Sequence, residues 1–490
     1  MRHTDVAVIG AGVLGCFAAR ALSALDLHIT VLEQREDVCT GVTRANTGII
    51  YSGYDNHPGS LKARLCARAN ASFHRLCEEL DVRFSRCGSL MVAFGPHAEA
   101  VLEQKLKNGL ASGVQGLRIV EGDELFALEP NLSRAATRGL FASGTGVVNP
   151  WELGIAAYEN AAANGVEFRF CERLLRMERS EGGFLLETEQ EIYRAKIVIN
   201  CAGLSADAVR EMLCLPTVRI FPTGADYLVL DDTVQGFFQY VIFHEPEEKG
   251  KGLTLVPTVD GNLLVGPTER GRDLAPDGAT AASGLRWLAE LCAKVAPSLT
   301  LSEQIRSFSA LRPNPRAVRE EGGVWVPEDR SINDFTLYQD NGLISLLGIK
   351  TPGLTCAAEL GRLCAEFTAE TLGFPGNNPH FHPNRRGIRR LHGMDEVQRA
   401  VLVREDPNYG DILCVCRDVS RGEILEAIRR GAVTLDGVKR RTGAGMGRCQ
   451  GARCLSGVLE MLARAQCISP ESVTLDGEGS PILGAKYGTC

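Results

Sequence analysis

The sequence predicts an α/β fold with three parts. These are a Rossmann-like dinucleotide-binding domain, an antiparallel-sheet domain of α+β character inserted into it, and a small helical domain towards the C-terminal end. Three observations predict it. A glycine fingerprint lies between an apolar strand and a helix near the start. Strand-like alternating runs broken by turn residues fill the middle. Four cysteines in two close pairs bracket short helical patterns at the rear.

Size and composition agree with that division. A chain of 490 residues has room for about three domains. Hydrophobic residues at 44% and charged residues at 23% are ordinary for a water-soluble globular protein. A net charge of −7 argues against a surface that coats nucleic acid. The 17 cysteines are an odd number without disulfide-framework spacing, which points to a reducing cytoplasm and one cysteine-ligated group. The run VAVIGAGVLGCFAARALSAL (6–25) imitates a signal sequence or a short span, but Arg20 interrupts it and its glycines fall at a functional spacing. No other apolar run is long enough to cross a bilayer, so a soluble or at most peripheral protein is expected.

The first element is DVAVIGAGVLG (5–15), a strand running into Gly10-x-Gly12-x-x-Gly15. Gly10 permits the tight turn, Gly12 lets backbone approach a pyrophosphate, and Gly15 lets helix and strand pack closely. The helix start offers N–H donors and partial positive charge to the phosphates. Glu33 ends the next strand, 18 residues beyond Gly15, where an acid can accept ribose hydroxyls. A second glycine cluster at 443–447 follows a basic run rather than a strand and reads as a turn. One dinucleotide unit argues that no second, nicotinamide dinucleotide is held here.

Three later segments bear on which dinucleotide binds: TRANTGIIYSGYDN (43–56), AKIVINCAGLSAD (195–207) and LISLLGIKTPGLTCAAELGRLCAEF (343–367). With these, nearly the whole chain resembles the FAD-dependent oxidoreductases of the D-amino-acid oxidase superfamily. The resemblance implies FAD. It implies that Asn46, Thr47 and Gly48 meet the isoalloxazine and that Ala202 and Gly203 close the adenosine end. It also implies that Thr351, Gly353, Leu354 and Thr355 place a helix start against the flavin pyrimidine, where its dipole favours the anionic reduced ring. Some relatives tether FAD through a histidine where this chain has Tyr51, so non-covalent FAD is expected.

The domains follow. Residues 1–85, 146–209 and 341–378 form the FAD-binding domain. Residues 86–145 and 210–340 form the substrate domain, with runs such as DYLVLDD, GLTLVPTV and GNLLVGPT and a turn at Asp260-Gly261-Asn262. Residues 379–410 read as a polar, basic linker. In glycerol-3-phosphate dehydrogenases and related 2-hydroxy-acid enzymes, a stretch like SALRPNP carries an arginine that anchors the anionic substrate. The resemblance gives that role to Arg312, whose guanidinium fork suits phosphate or carboxylate; the alternative is a surface arginine at a bend. Lys350 contacts flavin or substrate, or faces solvent. His244, Tyr227, Tyr51 and Tyr54 are candidates to take a proton or orient a hydroxyl, or else pack. His74, in ARANASFHRLCEEL, reads as surface or core.

The rear domain (411–466) opens with Cys414 and Cys416 and closes with Cys449 and Cys454, a C-x-C and a C-x4-C pair 32 residues apart. Ser420 and Glu423 form a capping box that starts one helix, Gly431 stops it, LDGVKRR forms a second, and a third begins at the last cysteine pair. Zinc sites more often use C-x2-C knuckles. The spacing resembles the [2Fe–2S] domain of bacterioferritin-associated ferredoxin and of the large subunits of anaerobic glycerol-3-phosphate dehydrogenases, with zinc or empty thiols as alternatives. Arg417, Lys439, Arg440, Arg441, Arg448 and Arg453 are expected to offset the cluster's negative charge. The other 13 cysteines, including Cys16, Cys201 and Cys356, read as core. The tail 467–490 has no assigned role.

Together these features imply an FAD-dependent dehydrogenase of a small anionic alcohol, most of all glycerol 3-phosphate. It would pass electrons through a [2Fe–2S] cluster to a second flavoprotein or quinone-linked subunit of a cytoplasmic hetero-oligomer, any membrane contact being through that partner. The alternatives are the same chemistry on a 2-hydroxy acid such as 2-hydroxyglutarate or on a secondary amine (an opine or proline derivative), a peroxide-producing oxidase, or a non-catalytic redox carrier or sensor.

Overall fold

A computed structural model describes residues 1–244, 252–269 and 279–484. It divides into two units, Met1–Gln34 with Cys39–Arg385, and Arg35–Val38 with Arg386–Cys490. Everything below refers to the described residues.

The first unit contains two large sheets. The strands Arg2–Ile9, Ile29–Leu32, Ile192–Asn200, Leu343–Leu347 and Glu167–Arg169 run parallel, Val6 standing opposite both Ile197 and Ile29. Val6, Val8, Val31 and Val198 are all fully buried. A strand covered on both faces reads as a continuous apolar run, which is why the pattern here does not alternate. Each such side chain contributes about 1.5–3 kcal/mol of burial. An antiparallel edge, Leu174–Ser180 and Gly183–Thr188, extends the sheet. The helices Val13–Leu22 and Gly353–Thr371 pack closely, because a Cβ at Gly361 would lie 2.5 Å from the Phe17 carbonyl oxygen.

The second sheet has nine strands, drawn from Ser89–Ala142 and Val218–Ser331. It alternates as expected. Leu90, Val92, Leu228, Leu230 and Ile242 face one core with the helix Ala282–Val295, while Met91, Ala93, Tyr227, Val241 and Phe243 face another with Ile49 and Tyr54. The expected turn joins Thr254–Pro257 to Leu263–Gly266, closed by Thr258 N–H donating to the Asn262 carbonyl (2.9 Å). One pair departs from the antiparallel expectation: Val241–His244 runs parallel to Ser89–Ala93. These strands come from the two separate insertions, so no hairpin dictates their direction.

The second unit packs the helices Glu396–Glu405, Arg421–Arg429, Leu435–Thr442 and Leu455–Gln466, the last three around Ile424, Val438 and Leu462. Ser420 and Glu423 form the expected capping box. The stretch read as a linker holds a helix of its own, because Asp395 and Gln398 make a second capping box that the sequence reading passed over. Part of the tail is also built in: Val473 is buried, and the Leu435 N–H donates to the Thr474 carbonyl (3.1 Å). No helix among the described residues is long and apolar enough to cross a membrane.

Candidate active site and four-cysteine centre

The dinucleotide cradle is built from the turn outward. Gly10 has φ +95°, and a Cβ there would lie 2.8 Å from the Cys201 carbonyl oxygen. A Cβ on Gly15 would lie 1.9 Å from the Gly10 carbonyl oxygen, so strand end, turn and helix are closed on one another. Gly12 caps the helix without a side-chain bond of its own, which leaves the helix start suited to a pyrophosphate. Glu33 accepts from the Ala11 N–H (2.7 Å) and so ties the second strand to the turn. Thr43, which sequence reasoning missed, accepts from the Val13 N–H (3.0 Å). Ala202 follows the buried strand and donates its N–H to the Asn200 carboxamide (3.2 Å), and Gly203 opens the next short turn.

The flavin segment is held by its own side chains. Asn46 donates to the Thr43 carbonyl and accepts from the Gly48 N–H, both at 2.8 Å. The Thr355 hydroxyl accepts from the Tyr51 N–H (3.0 Å), which joins this segment to the start of the helix Gly353–Thr371. That helix is preceded by Thr351 and Pro352 and starts at Gly353, Leu354 and Thr355 without a side-chain cap, the Gly353 N–H donating to the Lys350 carbonyl (2.6 Å). These open helix starts and closed glycine turns fit a flavin dinucleotide.

Beside Tyr51 the structure gathers several of the expected groups. Arg312 stands opposite Thr223 in the sheet register. Asn314 donates to the Thr223 hydroxyl and accepts from the Lys350 ammonium (2.7 Å). Neither Asn314 nor Thr223 carries a motif that singles it out in sequence. Burial pushes the Tyr51 hydroxyl well up, Asp55 and Tyr227 add to this, and Arg312 and a bond from Thr47 oppose it. Tyr51 therefore stays a protonated phenol. Burial raises the Tyr54 hydroxyl in the same way. Burial lowers the Lys350 ammonium, with Glu269 opposing and Arg312 assisting. Tyr227 stacks on Phe308 with ring centroids 4.7 Å apart.

One candidate, His244, lies elsewhere, and His74 is at the surface. His244 follows Phe243, which stacks on Tyr51 (6.1 Å), and by strand alternation it points to the opposite face, beside Phe94 (5.5 Å). His74 sits on an exposed helix face 3.1 Å from Glu78.

In the second unit the Cys416 and Cys449 sulfurs are 3.5 Å apart, and Cys414 pairs with Cys454. The Cys414 thiol is lowered to about 6 by its Cys454 partner, by the Gly445 and Arg417 N–H groups and by the Arg417 charge. The Arg453 N–H, the Cys416 thiol and the Gly451 N–H lower Cys449. Cys454 is raised, as the partner that keeps the proton. No three His, Cys, Asp or Glu side chains gather at single-ion spacing among the described residues. Two thiol pairs with N–H donors aimed at sulfur suit a two-iron centre, which takes two thiolates per iron, better than one tetrahedral zinc. Arg440 and Arg441 do not serve the cysteines as expected. Both are buried on Asp37, Arg441 through two bonds of 2.6 and 2.7 Å and Arg440 through one of 3.0 Å. Asp37 lies more than 400 positions away in sequence, which hid the pairing.

Residues 5–367 match the family described as FAD dependent oxidoreductase, and residues 412–464 match the BFD-like [2Fe-2S] binding domain. A glycerol 3-phosphate dehydrogenase of Caloramator mitchellensis is 37% identical over 98% of both chains. The L-2-hydroxyglutarate dehydrogenase of Escherichia coli (strain K12) is 26% identical over 81% of this chain and 99% of its own. Among solved structures, the dithionite-reduced L-α-glycerophosphate oxidase of Mycoplasma pneumoniae with FAD bound superposes with a TM-score of 0.71. It is 23% identical and covers 79% of this chain and 99% of its own, which places the fold.

Proposed function

The chain belongs to the FAD dependent oxidoreductase family and carries a BFD-like [2Fe-2S] domain, and from that premise we propose that it oxidises glycerol 3-phosphate and delivers the electrons to a partner protein. That it is an FAD-dependent dehydrogenase with a [2Fe–2S] centre follows from the two family matches and the full-length relative. The observation that carries the substrate is the 37% identity over 98% of both chains with a glycerol 3-phosphate dehydrogenase, cluster domain included.

The residues of the site suit this substrate. The Arg312 guanidinium grips the phosphate with two parallel donors. Lys350, steadied by Asn314, adds a second positive charge. Tyr51, kept protonated by burial, donates to a substrate oxygen. When bound, FAD would supply the acceptor for the hydride of the alcohol carbon, the hydroxyl proton leaving to a base or to water, and the [2Fe–2S] cluster would carry electrons singly. The acceptor in this reading is a second flavoprotein or quinone-linked subunit, in a cytoplasmic hetero-oligomer.

The test is anaerobic flavin bleaching of the holoprotein with a panel of glycerol 3-phosphate, 2-hydroxyglutarate and proline derivatives. Glycerol 3-phosphate is expected to bleach the flavin at the lowest concentration. Preferential bleaching by 2-hydroxyglutarate would transfer the assignment to the reading that the hydroxyglutarate dehydrogenase relative supports. Rapid peroxide release by the isolated chain in air would show that oxygen is the acceptor.

A further inference from the structure

Lys62 is a buried cation that the mechanism above does not use. It lies second in the helix Leu61–Leu80 and is only 8% exposed. Its ammonium sits 5.3 Å from the centre of the Phe335 ring, and among the described residues no carboxylate forms an ion pair with it. The nearby Asp334 carboxylate is turned to backbone instead, accepting from the N–H groups of Leu61 (2.8 Å), Lys62 (2.9 Å) and Phe335 (2.8 Å). An ammonium removed from water without a counter-ion is costly to keep charged. Such a group points to an anion that arrives with the ligand.

The position of Lys62 says where that anion lies. Lys62, Cys66 and Asn70 follow one another at four-residue spacing and share a helix face. On that face the Cys66 thiol (3.3 Å) and the Asn70 carboxamide (3.1 Å) both donate to the Tyr51 carbonyl. The Lys62 face is thus the one turned to the Tyr51 segment. Lys62 feels the charge of Lys350, Lys350 that of Arg312, and Arg312 that of Tyr51. Arg312 and Lys350 also lack a carboxylate partner among the described residues; the bond recorded for Lys350 is the neutral Asn314. Asp334 and Asp55 act on Lys62, and Glu269 on Lys350, without forming an ion pair, and a row of cations that repel one another is stabilised by a multiply charged anion beside it.

We propose that Lys62 completes an anion subsite with Arg312 and Lys350, matched to the two negative charges of a phosphate monoester rather than to a single carboxylate. This deepens the glycerol 3-phosphate reading and rests on it. Lys62 here is a specificity-determining residue: its charge separates a dianionic from a monoanionic substrate.

The test is titration of the oxidised holoprotein with inorganic phosphate, followed by the change in flavin absorbance. Lys62→Met and Lys62→Arg are compared with the wild type, and retained flavin absorbance reports folding. Lys62→Met is expected to weaken phosphate about tenfold or more, about 1.4 kcal/mol, and Lys62→Arg to restore most of it. The flavin midpoint potential should stay the same in all three. In turnover the loss should appear mainly in KM for glycerol 3-phosphate.

A pH series with sulfate, whose charge is constant from neutral to alkaline pH, gives a second readout. Burial and Lys350 lower the Lys62 ammonium to about 8, against the opposing pull of Asp334, Cys356 and Asp55. Wild-type affinity should fall as pH rises through that value, and the K62M protein should lack the step. Phosphate that binds wild type and K62M equally well, or a flavin potential that shifts while phosphate binding does not, overturns the subsite and leaves the substrate assignment standing. Phosphate binding that depends on Lys62, with no bleaching by glycerol 3-phosphate, overturns the substrate assignment and leaves the subsite.

Discussion

Arg312 shows how one side chain's geometry sets a testable quantity. A guanidinium offers two parallel donors to a phosphate, whereas an ammonium offers a point charge. Arg312→Lys keeps the charge and loses the fork, removing a charge-assisted hydrogen bond of about 1.5–3 kcal/mol. Steady-state kinetics should show kcat/KM for glycerol 3-phosphate falling about tenfold or more; a fall below threefold would place Arg312 away from the substrate. Residues of this kind differ in how visible they are in sequence. Gly10, Gly12, Gly15 and Glu33 are legible because their spacing follows from the turn itself. Thr43, Asn314, Thr223 and Lys62 are not, since each acquires its role from a neighbour that folding brings to it: Val13, Lys350, Asn314 and the Tyr51 segment. His244 illustrates the converse. It is a plausible proton acceptor by type, but strand alternation turns it away from Tyr51.

Among the elements, the helix Gly353–Thr371 has two duties. Its first turn holds the Tyr51 segment through Thr355, and its middle packs on the dinucleotide helix at Gly361, where a Cβ would meet the Phe17 carbonyl oxygen at 2.5 Å. Gly361→Val forces the two helices apart and should destabilise the first unit by about 1–3 kcal/mol. Because the same shift moves the helix start, the variant should also release FAD more readily on dilution. Thermal melts with and without added FAD check both effects, and a variant that melts like the wild type would deny the close packing. Strands and helices with strong periodicity are readable in advance, as the strand at Arg2–Ile9 and the Ser420 capping box show. Pair direction is not. Nothing local in Ser89–Ala93 or Val241–His244 announces that they run parallel, since the two meet only across a long stretch of chain.

For the molecule as a whole, the second unit's stability and the two-centre chemistry each yield a measurement. Asp37 is 1% exposed and satisfies two buried arginines. The arginine charges hold its carboxyl below the usual range against the pull of burial. A depressed folded-state value means that this stability is present above the ordinary carboxylate pKa and is lost as pH falls through the folded one. Asp37→Asn removes the buried carboxylate that the two guanidinium groups share, Arg440 keeping its ion pair with Asp476 (3.2 Å); breaking a buried ion pair costs about 3–5 kcal/mol. It should therefore lower bound iron at neutral pH while FAD content holds, and the wild type should lose this support only as pH falls below the ordinary carboxylate range, a step the variant lacks. Equal iron in the two proteins at neutral pH would show that the triad does not support the second unit.

Cys449→Ser addresses the division of labour between the centres. If the flavin collects electrons in pairs and the cluster exports them one at a time, the two halves of turnover are separable. The variant should lose iron and sulfide and still bleach its flavin with glycerol 3-phosphate under anaerobic conditions. Small dye acceptors reach a flavin directly, so dye-linked turnover should persist. Transfer to a protein acceptor should fall by at least tenfold. Protein-linked turnover that survives the loss of the cluster would mean that the flavin itself is the point of exit, and the four cysteines would then need a structural explanation.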